Sequence, residues 1–138
     1  MSPLYLETIE LKEAWKHVDG ILASYDEIIL KSHAVRRKFE KKLVENMKSA
    51  LKSAEIPYKK VIRGGGRVFV QLENVGLALT SLRRIFGLSW LAPTHRLETT
   101  KLEDILRFCK ENYEKWIPEG KTFAVRTKRV GVLSLIHI

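Results

Sequence analysis

Two groups of basic residues hold the chemistry this sequence offers, and that chemistry is the gripping of phosphate. Lys31, Arg36, Arg37, Lys38, Lys41 and Lys42 crowd the start of one helical stretch, with Glu40 as the only acid among them. Arg36 and Arg37 fall near the helix N-terminus, where the backbone dipole disfavours cations and attracts phosphate. Cations set against the dipole are a local inconsistency that an anionic ligand would relieve. The second group lies in Gly120-Lys121-Thr122-Phe123-Ala124-Val125-Arg126-Thr127-Lys128-Arg129-Val130-Gly131. Its alternation reads as a strand, with Phe123, Val125 and Thr127 on one side and Thr122, Ala124, Arg126 and Lys128 on the other. Such a strand docks its apolar face on a core and presents its cations to a phosphate backbone. Without a ligand, Lys41 and Lys42 read as a solvated helix face and residues 120–131 as an ordinary half-exposed strand.

Other constellations point away from catalysis. Arg63-Gly64-Gly65-Gly66-Arg67 lacks the Gly-Lys-Ser/Thr ending of a phosphate loop and sits between two strands, so a hairpin turn is its reading. His17, His33, His95 and His137 are scattered and have no ligand spacing with Cys109, so no metal site is assigned. Cys109 falls on the apolar stripe of a helix and is expected to be a buried structural thiol. No local motif suggests a Ser-His-Asp or Cys-His arrangement, and no carboxylate pair stands out. No catalytic residue and no cofactor is therefore assigned. Trp15, Trp90 and Trp116 read as core or interface anchors and Arg83-Arg84 as a solvated pair.

The elements that must position the basic groups follow from periodicity. Residues 8–18 pattern as an amphipathic helix and Gly20 to Leu30 as a strand. Ser32 is placed to cap a helix of about 20 residues whose core stripe is Val35, Phe39, Leu43, Met47, Leu51 and Ala54, ended by Pro57. Strands near 58–63 and 67–72 flank the glycine turn. Asn74 caps a second helix bearing Leu77, Ala78, Leu82, Ile85 and Phe86, with Gly87 at its C′ position. Residues 88–97 pattern as a fourth strand. The order β-α-β-β-α-β is that of the split βαβ, ferredoxin-like fold. From Thr99 a new unit opens, with Thr100 and Glu103 as a capping box and a stripe of Leu102, Ile105, Leu106, Cys109, Tyr113 and Trp116. The expected organisation is a helical extension over 1–19, a ferredoxin-like domain over 20–97 and an unfinished α-β unit over 98–138.

Composition narrows the partner. The 138 residues carry 25 Lys+Arg against 16 Asp+Glu, a net charge of +9. Such a surplus favours a polyanion over the Lys/Glu-rich surface of a thermophile protein. No apolar run is long enough to span a membrane, the N-terminus does not pattern as a signal peptide, and the lone cysteine suits a reducing cytoplasm.

Asp26-Glu27-Ile28-Ile29-Leu30-Lys31-Ser32, followed by Val35-Arg36-Arg37-Lys38-Phe39-Glu40, resembles the opening of the tRNA 4-thiouridine synthetases, the ThiI-type tRNA sulfurtransferases. Gly120 to Gly131 resembles the strand of their THUMP domain. Together the matches cover about residues 20–131 in the family's order. The resemblance implies an α+β chain, a ferredoxin-like βαββαβ domain followed by a partial THUMP unit. It implies binding of the acceptor region of tRNA, for uridine thiolation by a catalytic domain or subunit that residues 1–138 do not include. The RNA-binding residues it implies are Lys31, Arg36 and Arg37 on the first helix and Arg126, Lys128 and Arg129 on the THUMP strand. Asp26 departs from the family's usual glycine, and Val132 to Ile138 leave its pattern, an apolar tail suited to self-association through residues 121–138. The alternatives are the RNA-binding part of a THUMP-containing methyltransferase, deaminase or pseudouridine synthase; an acylphosphatase, which Lys31-Ser32-His33-Ala34 disfavours by lacking a glycine cradle; and an oligomerisation module.

Overall fold

The computed structural model describes residues 18–25, 32–64 and 66–127. The elements are β1 (Gly20–Ser24), α1 (His33–Ser53), β2 (Lys60–Gly64), β3 (Arg67–Gln71), α2 (Val75–Leu82), β4 (Trp90–Thr94) and α3 (Leu102–Trp116). The strands form one sheet in the order β2-β3-β1-β4, with every neighbouring pair antiparallel. This is the split βαβ arrangement that the sequence order implied. Described residues divide into two compact units, the first ending at Arg96 and the second beginning at Leu97.

Register explains how the first unit builds its core. Ile21 pairs with Val70 and Ala23 with Val68, so these four share one sheet face, and all are fully buried. Leu43, Met47 and Leu51 of α1 and Val75, Ala78 and Leu82 of α2 join them in one apolar cluster. The two helices are tied where the Ser81 hydroxyl donates to the Ala50 carbonyl at 3.3 Å. Gly20 is required by the sheet itself, because a Cβ there would collide with the Val70 carbonyl. On the opposite face Ser24 is buried in a row with Arg67 and Trp90, and the Arg67 guanidinium lies 4.7 Å from the Trp90 ring centroid. Trp90 is thus a surface anchor held by a cation–π contact rather than a core residue.

Helix boundaries obey local chemistry more closely than the sequence patterns did. Ser32 caps α1 and Asn74 caps α2, each side chain accepting from the backbone N–H three residues on. Pro57 does not end α1. The helix stops at Ser53 with a Schellman motif: Glu55 takes a left-handed conformation (φ 57°), Glu55 N–H donates to the Lys52 carbonyl, and Ile56 N–H donates to that of Leu51. Ile56 then buries its side chain, which completes the motif.

Candidate nucleic-acid interface

The first turns of α1 position the basic residues. After the Ser32 cap, Arg36 N–H donates to the Ser32 carbonyl at 2.8 Å, and no acid stands in the first turn. The helix therefore opens with no carboxylate in its first turn to complement its dipole, and with Arg36, Arg37 and Lys38 close behind. The phase of the helix differs from the one its apolar residues suggest. Leu43, Met47 and Leu51 are buried, but Val35 and Phe39 are 49% and 38% exposed. Stepping back from Leu43 by three and then four residues reaches Glu40 and Arg36, and both are half-buried. Arg36 and Glu40, not Val35 and Phe39, continue the inward stripe. Arg37, Lys38, Lys41 and Lys42 are exposed.

Three further residues belong to this end of the domain. Tyr25, directly after β1, is 1% exposed, and its hydroxyl has no hydrogen-bond partner among the described residues. Burial, followed by the Glu40 carboxylate beside it, pushes its pKa up to about 12, against the opposing pull of the Arg63 and Arg36 guanidiniums. The Glu40 carboxylate faces the phenol without reaching hydrogen-bond geometry in this conformation. Arg63 on β2 pairs with Val68, so it shares the sheet face that α1 covers. His33 Nε2 stands 3.4 Å from Arg36 Nη2 and accepts from it when the ring proton is on Nδ1. The ion pairs among the described residues do not include Arg36, Arg37 or Arg63.

Of the residues expected to contact RNA, Arg36 and Arg37 stand together at the start of α1, one half-buried and one exposed. Lys31, Lys128 and Arg129 lie outside the described residues. So do residues 8–17 of the helix expected over 8–18, and the apolar tail. Arg126 is exposed in the second unit, where residues 121–127 form no strand. The alternation of Phe123 and Val125 therefore has no ladder to act through: they are 67% and 80% exposed. Sequence reasoning read Arg63 as the flank of a hairpin turn and passed over Tyr25. The usable signal was the alternation of β2, which places Arg63 on the same side as Val61, and the placement of Tyr25 two residues beyond Ala23.

The second unit corrects several expectations. The helix α3 is amphipathic, yet it contains no buried residue. Leu102 and Leu106 are 66% and 60% exposed, and Cys109 is a free, exposed thiol rather than a buried one. The Thr100–Glu103 capping box does not form. Lys101 is the N-cap residue, and the Thr99 hydroxyl accepts from Lys101 N–H at 3.2 Å while donating to the Asp104 carboxylate at 2.8 Å. Phe108 and Trp116 pack ring against ring at 5.6 Å between centroids. In the first unit, Leu77 and Phe86, expected on a core stripe, are 58% and 91% exposed: Leu77 lies off the Val75–Ala78–Leu82 face of α2, and Phe86 lies beyond the helix end at Leu82.

Among the described residues no group of three or more His, Cys, Asp or Glu could hold a metal ion, and no helix is long and apolar enough to cross a membrane. A cleft of about 490 Å³ beside α2 and β4 is lined by Leu79, Thr80, Arg83 and Trp90, among others, so Arg83 borders a concavity.

Residues 20–92 match the ThiI ferredoxin-like domain. The chain belongs to that family. The matched span holds β1, α1, β2, β3, α2 and most of β4, and it includes Tyr25, Arg36, Arg37 and Arg63. Relatives named "Probable tRNA sulfurtransferase" include two from different archaea. That of Methanothermobacter thermautotrophicus is 38% identical over 118 residues, covering 82% of this chain and 28% of the relative. That of Saccharolobus solfataricus is 32% identical over 111 residues, covering 80% and 28%. The crystal structure of PH1313 from Pyrococcus horikoshii OT3 superimposes with a TM-score of 0.61 at 33% identity, over 70% of this chain and 31% of that one. The ThiI ferredoxin-like domain thus sits here in a chain spanning under a third of the length of these relatives.

Proposed function

We propose that this chain is the RNA-binding N-terminal region of a tRNA 4-thiouridine synthetase-like protein, active in the cytoplasm. It binds the acceptor region of tRNA, and the uridine is thiolated by a catalytic part that residues 1–138 do not include. The observation that carries the reading is the start of α1. Arg36 and Arg37 stand there against the helix dipole, with no acid in the first turn and no ion pair among the described residues. A phosphate supplies the charge that this end of the helix lacks. The relatives named as tRNA sulfurtransferases support tRNA as the source of that phosphate. Lys31, Arg126, Lys128 and Arg129 are the further contacts in this reading, the last three from a partial THUMP unit over residues 98–138. The free thiol of Cys109 suits a reducing compartment.

The alternative, the RNA-binding part of a THUMP-containing methyltransferase, deaminase or pseudouridine synthase, keeps the same RNA contacts and changes only the chemistry. The test common to both is a filter-binding series with tRNA across roughly 50 to 200 mM salt. Phosphate contacts predict a steep fall, with a log–log slope of several units. Absence of binding at low salt, or binding indifferent to salt, would overturn the reading.

A further inference from the structure

We propose that Arg63 and Arg36 together form a site for a single phosphate group at the N-terminal end of α1, built around the buried Tyr25 hydroxyl. The site deepens the RNA-binding reading and rests on it for the source of the phosphate. In the sequence Arg63 reads as the flank of a hairpin turn, 27 residues from Arg36. Register sets Arg63, itself exposed, on the sheet face that α1 covers, and helix phase turns Arg36 toward that face. Arg63 is in line with Val68 and Ala23 on the face that α1 covers. Tyr25 lies two residues beyond Ala23, with its N–H donating to the Gly66 carbonyl at 3.3 Å, so it sits at the same end of the sheet as the hairpin. Arg36 is on the inward stripe of α1, seven residues before Leu43, and is half-buried. The Tyr25 phenol feels both guanidiniums and the Glu40 carboxylate.

The chemistry fits a tetrahedral anion. Two guanidiniums offer forked donors to separate oxygens of one phosphate. Neither is in an ion pair among the described residues. The backbone at the start of α1 adds the positive end of its dipole. Tyr25 Oη is the buried side-chain polar atom without a partner among the described residues, and an oxygen brought between the two arginines gives its O–H an acceptor. Glu40 is the opposing element. With it ionised, the four side chains carry a net charge of +1, and the carboxylate competes with the incoming anion.

Two arms test the site. In the first, the arginine Nε–Hε signals of the full chain are followed by NMR during titration with inorganic phosphate at constant ionic strength. Arg36 and Arg63 should move with one shared dissociation constant while Arg84 stays still. Arg63→Ala should abolish the movement of Arg36, and Glu40→Gln should tighten binding at least twofold. Independent constants, or movement of only one of the two, would overturn the shared site. In the second arm, tRNA affinity is measured for Arg36→Ala, Arg63→Ala and the double variant, each with a native circular dichroism spectrum. Each single change should weaken binding about five- to tenfold, and the double change by less than the product of the two. Losses that multiply would mean the arginines act separately on RNA. If phosphate binds at the shared site but tRNA does not bind the chain, the RNA reading fails and the site stands. If tRNA binds but neither Arg63→Ala nor phosphate has an effect, the site fails and the RNA reading stands.

Discussion

The two long helices of this chain invert the usual relation between pattern and burial. The helix α3 separates its apolar and polar residues cleanly and buries none of them. The helix α1 carries charge along nearly every turn, puts Arg36 and Glu40 on its inward stripe, and still seats Leu43, Met47 and Leu51 in the core. Amphipathicity states which face a helix can offer. Burial also needs a surface to receive it, and the four-stranded sheet of the first unit is such a surface. Among the described residues of the second unit there is no strand, and most of the apolar stripe of α3 is exposed.

The widest gap between the two units should appear in truncation of matched leucines. Leu51→Ala empties a fully buried position and should cost about 2.5–5 kcal/mol. Leu106→Ala, at 60% exposure, should cost under about 1 kcal/mol. Chemical denaturation of both variants checks this, and equal losses would mean that α3 is covered in solution.

Tyr25 gives the first unit a signature in alkali. Its pKa is about 12 in the fold against about 10 in the unfolded chain. The group is buried neutral, so its contribution is fully present below pH 10 and is lost as pH rises from 10 through 12. The wild type should lose about 1–3 kcal/mol of stability over that window, and Tyr25→Phe should lose much less. Parallel alkaline unfolding curves for the two proteins would contradict this.

Phe39 sits at the margin of the first unit. As a core residue it would cost about 3–5 kcal/mol on truncation. At 38% exposure, with its ring packed where a Cβ on Gly87 would come within 3.1 Å of it, Phe39→Ala should cost about 1–2 kcal/mol. A loss above 3 kcal/mol, read from the melting temperature, would restore Phe39 to the core. The smallest effect belongs to α3. The exposed Cys109 thiol should react with a thiol reagent in the native protein at close to the rate of the unfolded chain, and its alkylation should change stability by less than about 0.5 kcal/mol.

The order of elements was legible in the sequence because each local signal had a local cause. Ser32 and Asn74 cap their helices, the glycine run turns the β2–β3 hairpin, and Val68 and Val70 alternate into the core. The family resemblance was legible for the same reason, since it rested on contiguous runs of residues. Helix phase was not. Val35 and Phe39 are apolar and correctly spaced, but the face of α1 that meets the sheet is set by the positions of Leu43, Met47 and Leu51 on the strands. The end of α1 was misread because a Schellman motif at Glu55 turns the chain and seats Ile56 in the core before Pro57 is reached.

By itself the sequence determined the element order, the caps, the positive surplus and the placing of Arg36 and Arg37 at a helix N-terminus. All of these depend on neighbours in the chain. Only the tertiary structure decided that Arg36 turns inward and Arg37 outward, that Arg63 joins Arg36 beside a buried phenol, and that the stripe of α3 stays uncovered. Those outcomes depend on which surface each face meets, and strand register and sheet order set that across separations of tens of residues.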